Sequence, residues 1–313
     1  MGAQTTIAVT GAFGYSGRYI AERLLAEGHA VRTLTNSPHR ASPLASRVEA
    51  RPLAFADPHA LRDALVGAEV LVNTYWVRFN HRDFTFAQAI ANSLRLFDAA
   101  KAAGVRRIVH VSITNPSESS PFEYFRGKAR LERALGESGL SLAILRPAVL
   151  FGGQDILINN IAWMLRHLPA FGIFGDGQYR LQPIHVEDLA ALASQHLRGE
   201  NDVLVDAIGP ETFTYRELVE TIAKAIGAHK RPFSIAPWQG LAAAKAVERM
   251  TGDVLITREE IGGLMAGLLA TSSLPAGTTR LSDWARANGA TLGRHYHSEL
   301  ARRGDRRHAH KED

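Results

Sequence analysis

Gly11-Ala12-Phe13-Gly14-Tyr15-Ser16-Gly17 follows the β-rich run Thr5-Thr6-Ile7-Ala8-Val9-Thr10 and opens the amphipathic segment Tyr19-Ile20-Ala21-Glu22-Arg23-Leu24-Leu25. The order is strand, glycine turn, helix, and the helical pattern stops at Gly28. Glycine permits a sharp turn and lets the backbone approach a pyrophosphate, while the N–H groups at a helix start favour negative charge. A G-x-x-G-x-x-G spacing alone is a weak signal in a chain with 27 glycines. Its position between an apolar strand and a helix makes it a dinucleotide-binding signal, with Gly11, Phe13, Gly14, Tyr15 and Gly17 as the expected contacts.

Outward from this turn, apolar strand-like runs alternate with helical patterns as far as Pro147: Ala30–Leu34, Val48–Leu53, Val70–Asn73, Arg107–Ile113 and Ser141–Leu145. Alternation of this kind predicts an α/β fold, a Rossmann-type doubly wound parallel sheet with helices on both faces. Asp57-Pro58 reads as a cap followed by a first-turn proline. Ser120-Pro121-Phe122-Glu123 reads as a Ser cap with the Glu of a capping box, which predicts a helix over 121–137 ending near Gly139. Beyond Pro147 the alternation becomes irregular. A helix is expected over 155–167, a strand and helix at 179–184 and 187–196, and a strand at 202–206, while capping boxes at Thr214 and Thr257 predict a mainly helical remainder. The expected organisation is a cofactor domain over 1–150, completed by about 179–208, and a smaller, mainly helical substrate lobe from 151–178 and 209–300. Residues 301–313, with paired arginines at 302–303 and 306–307, read as a disordered, solvated tail.

With 313 residues, 46% hydrophobic and 21% charged, the chain can bury a large core. The absence of cysteine excludes disulfides, thiolate metal sites and a cysteine nucleophile. A net charge of +5 without a basic stripe argues against nucleic acid. The first strand begins too early for a signal region, and Ile261–Leu269 is far short of the roughly 20 apolar residues of a membrane span. The expectation is a cytoplasmic protein with a small-molecule substrate and no integral membrane segment.

Tyr124 and Lys128 are four residues apart on a helix and so share a face. A nearby ammonium favours phenolate, which makes a tyrosine of ordinary pKa about 10 usable as a proton donor near neutrality. Upstream, Val109-His110-Val111-Ser112-Ile113-Thr114-Asn115 ends a strand in hydroxyls, at the carboxyl edge where open α/β sheets bind ligands. Gly127 sits inside the helix at a cost of roughly 1 kcal/mol relative to Ala, which suits a position where a ribose or another backbone passes closely.

The glycine turn, Tyr124 with Lys128, Asn92, Leu145-Arg146-Pro147 with Phe151-Gly152, and Ile184-His185-Val186-Glu187-Asp188-Leu189-Ala190 together resemble the extended and atypical short-chain dehydrogenase/reductases. Within this NAD-dependent epimerase/dehydratase superfamily the chain is similar to the NAD(P)H-binding group related to the respiratory complex I accessory subunit. The likeness runs from about Thr5 to Ala190. It implies Tyr124 as proton donor, Lys128 as ribose contact and acidifier of the phenol, and Thr114 as the hydroxyl orienting a carbonyl, with Ser112 as the second candidate. It also implies cofactor contacts at Asn73, Thr74 and Pro147. Two positions depart from the family pattern. The acidic residue of the third strand falls at Ala54, with Asp57 three residues later, and the catalytic serine is a threonine.

NAD-preferring sites carry an acidic residue roughly 20 residues beyond the glycines, yet none lies between Gly28 and Val48. Asn36 follows the second strand and Arg40 stands close behind, able to pair a 2′-phosphate, so NADP(H) is expected over NAD(H). The aromatic and cationic loop Asn73–Arg82 leaves the fourth strand at the same edge and is expected to border the nicotinamide. Alternatively Trp76 and Phe79 are core, with Arg78, His81 and Arg82 at the surface. His185-Val186-Glu187-Asp188 reads as a capped strand-to-helix junction and not as a metal site. The expected activity is reduction of a carbonyl or related small molecule. The alternatives are a nucleotide-bound assembly or sensor protein and, less well supported, a sugar-nucleotide epimerase or dehydratase.

Overall fold

The structure, a computed structural model, describes residues 5–230 and 232–304. The chain runs β1 (Thr6–Thr10), α1 (Tyr15–Ala26), β2 (Ala30–Thr35), β3 (Glu49–Pro52), α2 (Pro58–Asp63), β4 (Val70–Asn73), α3 (Phe86–Ala102), β5 (Arg107–Val111), α4 (Glu123–Glu137) and β6 (Ser141–Pro147). There follow β7 (Val149–Phe151), α5 (Leu157–His167), β8 (Gly172–Phe174), β9 (Arg180–Leu181), β10 (Pro183–His185), α6 (Val186–Gln195) and β11 (Val203–Ala207). The rest is β12 (Phe213–Thr214), α7 (Tyr215–Ala225), β13 (Phe233–Ile235), α8 (Pro237–Thr251), α9 (Arg258–Met265), α10 (Leu281–Asn288) and α11 (Glu299–Gly304).

The fold is a Rossmann-like α/β fold, built on a seven-stranded sheet of order β11-β6-β5-β4-β1-β2-β3. The ladders from β3 through β2, β1, β4 and β5 to β6 are parallel. Strand order reverses between β1 and β4, the switch point at which such sheets bind ligands beyond their carboxyl ends. Right-handed crossovers then set α1 on one face and α2, α3 and α4 on the other. A buried cluster under the latter face joins Ala8, Leu34, Leu71, Ile108, Leu142 and Ile144 of the strands to Leu61, Leu96, Leu131 and Leu135 of the helices.

Two compact units divide the described residues: 5–146 with 189–205, and 147–188 with 206–230 and 232–304. The second has its own core, in which Phe151, Ile161, Leu165, Leu181, Leu218, Ile222 and Leu281 are buried.

Local signals mostly did what their chemistry requires. Asp57 caps α2 by accepting from His59 N and Ala60 N, both at 3.0 Å, and Thr214 and Thr257 form complete capping boxes on α7 and α9. Ser120 differs. The cap residue of α4 is Phe122, with no side-chain bond, so the helix starts two residues later than the Ser-Pro pattern predicts. The Ser120 hydroxyl instead accepts from Phe122 N at 3.2 Å, a tight serine turn that competes with capping. Glu123 accepts from Asn80 Nδ2 at 2.8 Å in place of a capping-box bond. At the junction read from His185-Val186-Glu187-Asp188, Asp188 lies in the first turn of α6 and accepts from Thr278 N at 2.9 Å and Thr279 N at 2.8 Å. Of the expected tail, residues 305–313 lie outside the described residues, and 301–304 are helical in α11.

Candidate active site

The glycine turn is cut to two separate needs. Gly11 has φ +70°, a left-handed conformation that side chains rarely adopt. At Gly17 the need is space: a Cβ there would lie 2.2 Å from Gly11 O and 2.8 Å from Gly11 C. Helix α1 therefore packs directly on the turn. Gly14 N donates to Gly11 O at 2.7 Å, Gly11 N to Leu34 O at 3.1 Å, and Ala12 N to Thr33 Oγ1 at 3.1 Å, which ties the turn to β2. No side chain caps α1, whose cap residue is Gly14. A helix start with its positive end uncapped, reached over a glycine surface, fits a pyrophosphate. Phe13 of the turn is buried, and Tyr15 meets Tyr19 edge-on at 5.9 Å.

Beside the turn, the carboxyl ends of β1, β4 and β5 share a polar network in which Thr10, Asn73 and His110 are buried. Thr10 Oγ1 donates to Asn73 Oδ1 at 3.0 Å and accepts from Thr74 N at 2.7 Å and Tyr75 N at 3.1 Å. Thr74 Oγ1 donates to Thr10 O at 2.5 Å. Asn73 Nδ2 donates to His110 Nδ1 at 3.0 Å, in the tautomer with the ring proton on Nε2. Burial, with the Lys128 charge second, pushes the His110 pKa far down, so the ring is neutral. The fully buried Asn73 amide is thus engaged within the protein, where it ties together the carboxyl ends of β1, β4 and β5.

Tyr124 and Lys128 stand on α4. Lys128 is 2% exposed, and its Nζ donates to Val111 O at 2.8 Å, the last residue of β5. Burial lowers its pKa to about 7 against the opposing pull of Glu132. The ammonium lies 4.5 Å from the centre of the Trp76 ring. Tyr124 meets Trp76 and Phe86 edge-on, each at 5.7 Å. The cost of Gly127 is met by side chains, contrary to the expected ribose or backbone: a Cβ would lie 3.0 Å from Trp76 Cη2 and 3.1 Å from Ile90 Cδ1.

The two hydroxyl candidates differ in place. Ser112 Oγ, buried, donates to Glu132 Oε1 at 2.5 Å, and that carboxylate is clasped by Arg146, whose Nε reaches its two oxygens at 3.0 and 3.2 Å. The serine is thereby committed to a structural bridge between β5, α4 and β6. Thr114 is fully buried three residues beyond β5, next to Asn115, whose φ of 50° marks the turn.

Asn36 is exposed immediately after β2, and Arg40 follows in a turn closed by its N–H to Ser37 O at 3.1 Å. Pro147, buried, ends β6. Asp57, near the family's adenine position, has its carboxylate engaged by α2. The loop after β4 splits between its two readings. Phe79 is core at 3% exposure, Arg82 is exposed, and His81 and Phe84 exchange backbone bonds at 2.8 and 3.1 Å. The half-buried Trp76 forms part of the site, which the sequence signalled only through the loop's aromatic density.

Comparison with known proteins agrees with this geometry. The family of NAD(P)H-binding domains matches residues 11–160. The chain is 29% identical over 244 residues to the mitochondrial NADH dehydrogenase [ubiquinone] 1 alpha subcomplex subunit 9 of Arabidopsis thaliana, a match covering 73% of this chain and 60% of that protein. Among solved structures, an NADPH-dependent quinone oxidoreductase of Escherichia coli has a similar fold, with a TM-score of 0.74 at 23% identity over 90% of this chain and 99% of that one. So does a nucleoside-diphosphate-sugar epimerase of Staphylococcus aureus, at 0.72 and 18% over 90% and 100%. No helix among the described residues is long and apolar enough to cross a membrane. Residues 11–160 match the model of NAD(P)H-binding domains, the chain is similar in sequence to the alpha subcomplex subunit 9 of mitochondrial NADH dehydrogenase, and its Rossmann-like fold is shared with solved epimerase and reductase structures.

Proposed function

We propose that the protein is an NADP(H)-preferring oxidoreductase that reduces a carbonyl or related small molecule, with Tyr124 as proton donor. The observation that carries this reading is the placement of Tyr124 and Lys128 on one helix, with the Lys128 ammonium bonded to the last carbonyl of β5 at the ligand-binding edge of the sheet. Gly11, Gly14 and Gly17 would cradle the pyrophosphate, with Phe13, Tyr15, Thr74 and Pro147 around the nucleotide. Lys128 would meet the ribose hydroxyls, and Asn36 and Arg40 the 2′-phosphate. The nicotinamide, when bound, supplies a hydride. Tyr124 delivers its hydroxyl proton to the carbonyl oxygen, and the phenolate left behind is stabilised by the Lys128 ammonium. Thr114 orients the carbonyl, a role Ser112 is less suited to because its hydroxyl is held by Glu132. In this reading the second compact unit recognises the substrate and the protein works in the cytoplasm.

NADPH oxidation against a panel of aldehydes, ketones and quinones tests the proposal. Tyr124→Phe keeps the ring and should lower turnover on the order of 10² to 10⁴-fold with nucleotide affinity nearly intact, whereas Lys128→Met should damage both. Because the Lys128 pKa is lowered to about 7, the ammonium is lost as pH rises through neutrality and turnover should fall on that side. Normal turnover by Tyr124→Phe would remove the tyrosine from the chemistry. Asn36→Asp places a negative charge by the 2′-phosphate position and should shift preference toward NADH, measured as the ratio of the two dissociation constants. A wild-type protein that already binds NADH more tightly would overturn the NADP(H) assignment.

A second reading, a nucleotide-bound assembly or sensor protein without turnover, is favoured by one feature: Lys128 is buried under Trp76 and carries a pKa near neutrality, so its charge is only partly present at pH 7. Tight NADPH binding with no oxidation across the panel is its expected signature.

A further inference from the structure

Both members of the Tyr124/Lys128 pair touch one side chain. The Trp76 indole takes the Lys128 ammonium over its ring at 4.5 Å and meets the Tyr124 ring edge-on at 5.7 Å, with an interplanar angle of 84°. Phe86 backs both, stacked near Trp76 at 6.0 Å and edge-on to Tyr124 at 5.7 Å. The helix has given up a side chain to admit this indole, since any Cβ at Gly127 would press on Cη2 at 3.0 Å. A glycine inside a helix costs roughly 1 kcal/mol relative to Ala, so the close approach offsets a real penalty.

Lysine has a long flexible stem and loses much rotamer freedom when fixed. Its Nζ donates a hydrogen bond to Val111 O. The titratable and charged groups around it are Glu132 on α4, His110 on β5 and Tyr124 one turn back. Glu132 is committed to Ser112 and Arg146, and His110 is a buried neutral ring turned to Asn73. The π face of tryptophan attracts an ammonium more strongly than other aromatic faces, and more so out of water.

We propose that Trp76 is a positioning residue that holds the Lys128 ammonium beneath its indole and braces the Tyr124 ring, fixing the geometry of the pair. What the pair then serves rests on the reading above, in which Lys128 meets the ribose of NADPH.

Trp76→Phe and Trp76→Leu separate an aromatic face from mere bulk. Calorimetric titration with NADPH should show a loss on the order of tenfold for Trp76→Leu, with Trp76→Phe recovering most of it. Wild-type affinity in Trp76→Leu, or equal losses in the two variants, overturns the proposal. If Trp76→Leu does not fold, Gly127→Ala crowds the indole without removing it and should give a smaller loss in the same direction.

A readout without nucleotide keeps the two ideas apart. In protein labelled with 5-fluorotryptophan, four resonances arise from the four tryptophans, and the Trp76 line is the one missing in Trp76→Phe. That line should move with pH around neutrality as the ammonium above it loses its proton, and should stay fixed in Lys128→Met. A line that stays fixed in the wild type overturns the holding role. A line that moves as expected, with Lys128→Met leaving NADPH affinity unchanged, overturns the ribose reading and leaves the contact standing.

Discussion

At Gly17 a missing methyl group lets α1 pack on the glycine turn. A Cβ at 2.2 Å from a backbone oxygen cannot be relieved by any rotamer, so α1 would have to leave the turn it packs on. Gly17→Ala should therefore lower NADPH affinity at least tenfold and destabilise the fold by about 1–3 kcal/mol, read by calorimetry and urea unfolding. Wild-type values in both would separate the helix start from the site. The bar to a side chain at Gly17 was legible in the sequence because glycines between a strand and a helix mark a turn on which the helix packs. The role of Gly127 was not. Sequence marks a helical glycine as costly but is silent on what approaches it, and the neighbour is a tryptophan 51 positions away in the chain, brought there by the β4–α3–β5–α4 crossover.

At the scale of elements, strand alternation, the Asp57 cap and the Thr214 and Thr257 capping boxes were legible because each is set by residues within four positions. Ser120 misled because a serine before a proline serves a turn as well as a cap, and the Asn80–Glu123 bond that settles the choice is non-local. Ser112 teaches the same lesson: the sequence offers its hydroxyl as a catalytic candidate, but α4 brings Glu132 to it and β6 brings Arg146. That bridge joins three elements with side chains only 9% and 22% exposed for the acid and the base. Removing one partner strands the other charge in a poorly solvated place, whereas removing both does not. Glu132→Leu and Arg146→Met should each destabilise by about 2–4 kcal/mol, and the double variant by less than the sum. A urea-unfolding cycle measures the coupling. Strict additivity would mean that the pair does not hold α4 to β6.

At the scale of the whole molecule, each compact unit carries a buried group whose charged form is opposed by its burial, and because one is a base and the other an acid the two act in opposite directions with pH. In the first unit, the Lys128 pKa is lowered to about 7 from an ordinary 10.5, chiefly by burial. Between those values the unfolded chain binds the extra proton, so stability rises with pH from about 7 upward, and below 7 the full penalty is present. In the second unit, Asp155 accepts from Ile158 N at 2.7 Å, Asn159 Nδ2 at 3.0 Å and Gly152 N at 3.3 Å. Burial outweighs these donors and raises its pKa to about 7 from an ordinary 3.8. Here the folded protein binds the extra proton, so its contribution falls as pH rises from about 4 to 7. The expected consequence is local. Amide hydrogen exchange, corrected for intrinsic rates, should show β5 and α4 growing more protected from pH 7 to 9, and α5 losing protection from pH 5 to 7. Lys128→Met should flatten the first trend and leave the second. If both units respond alike in the wild type, stability is set by one global transition and neither buried group governs its own surroundings.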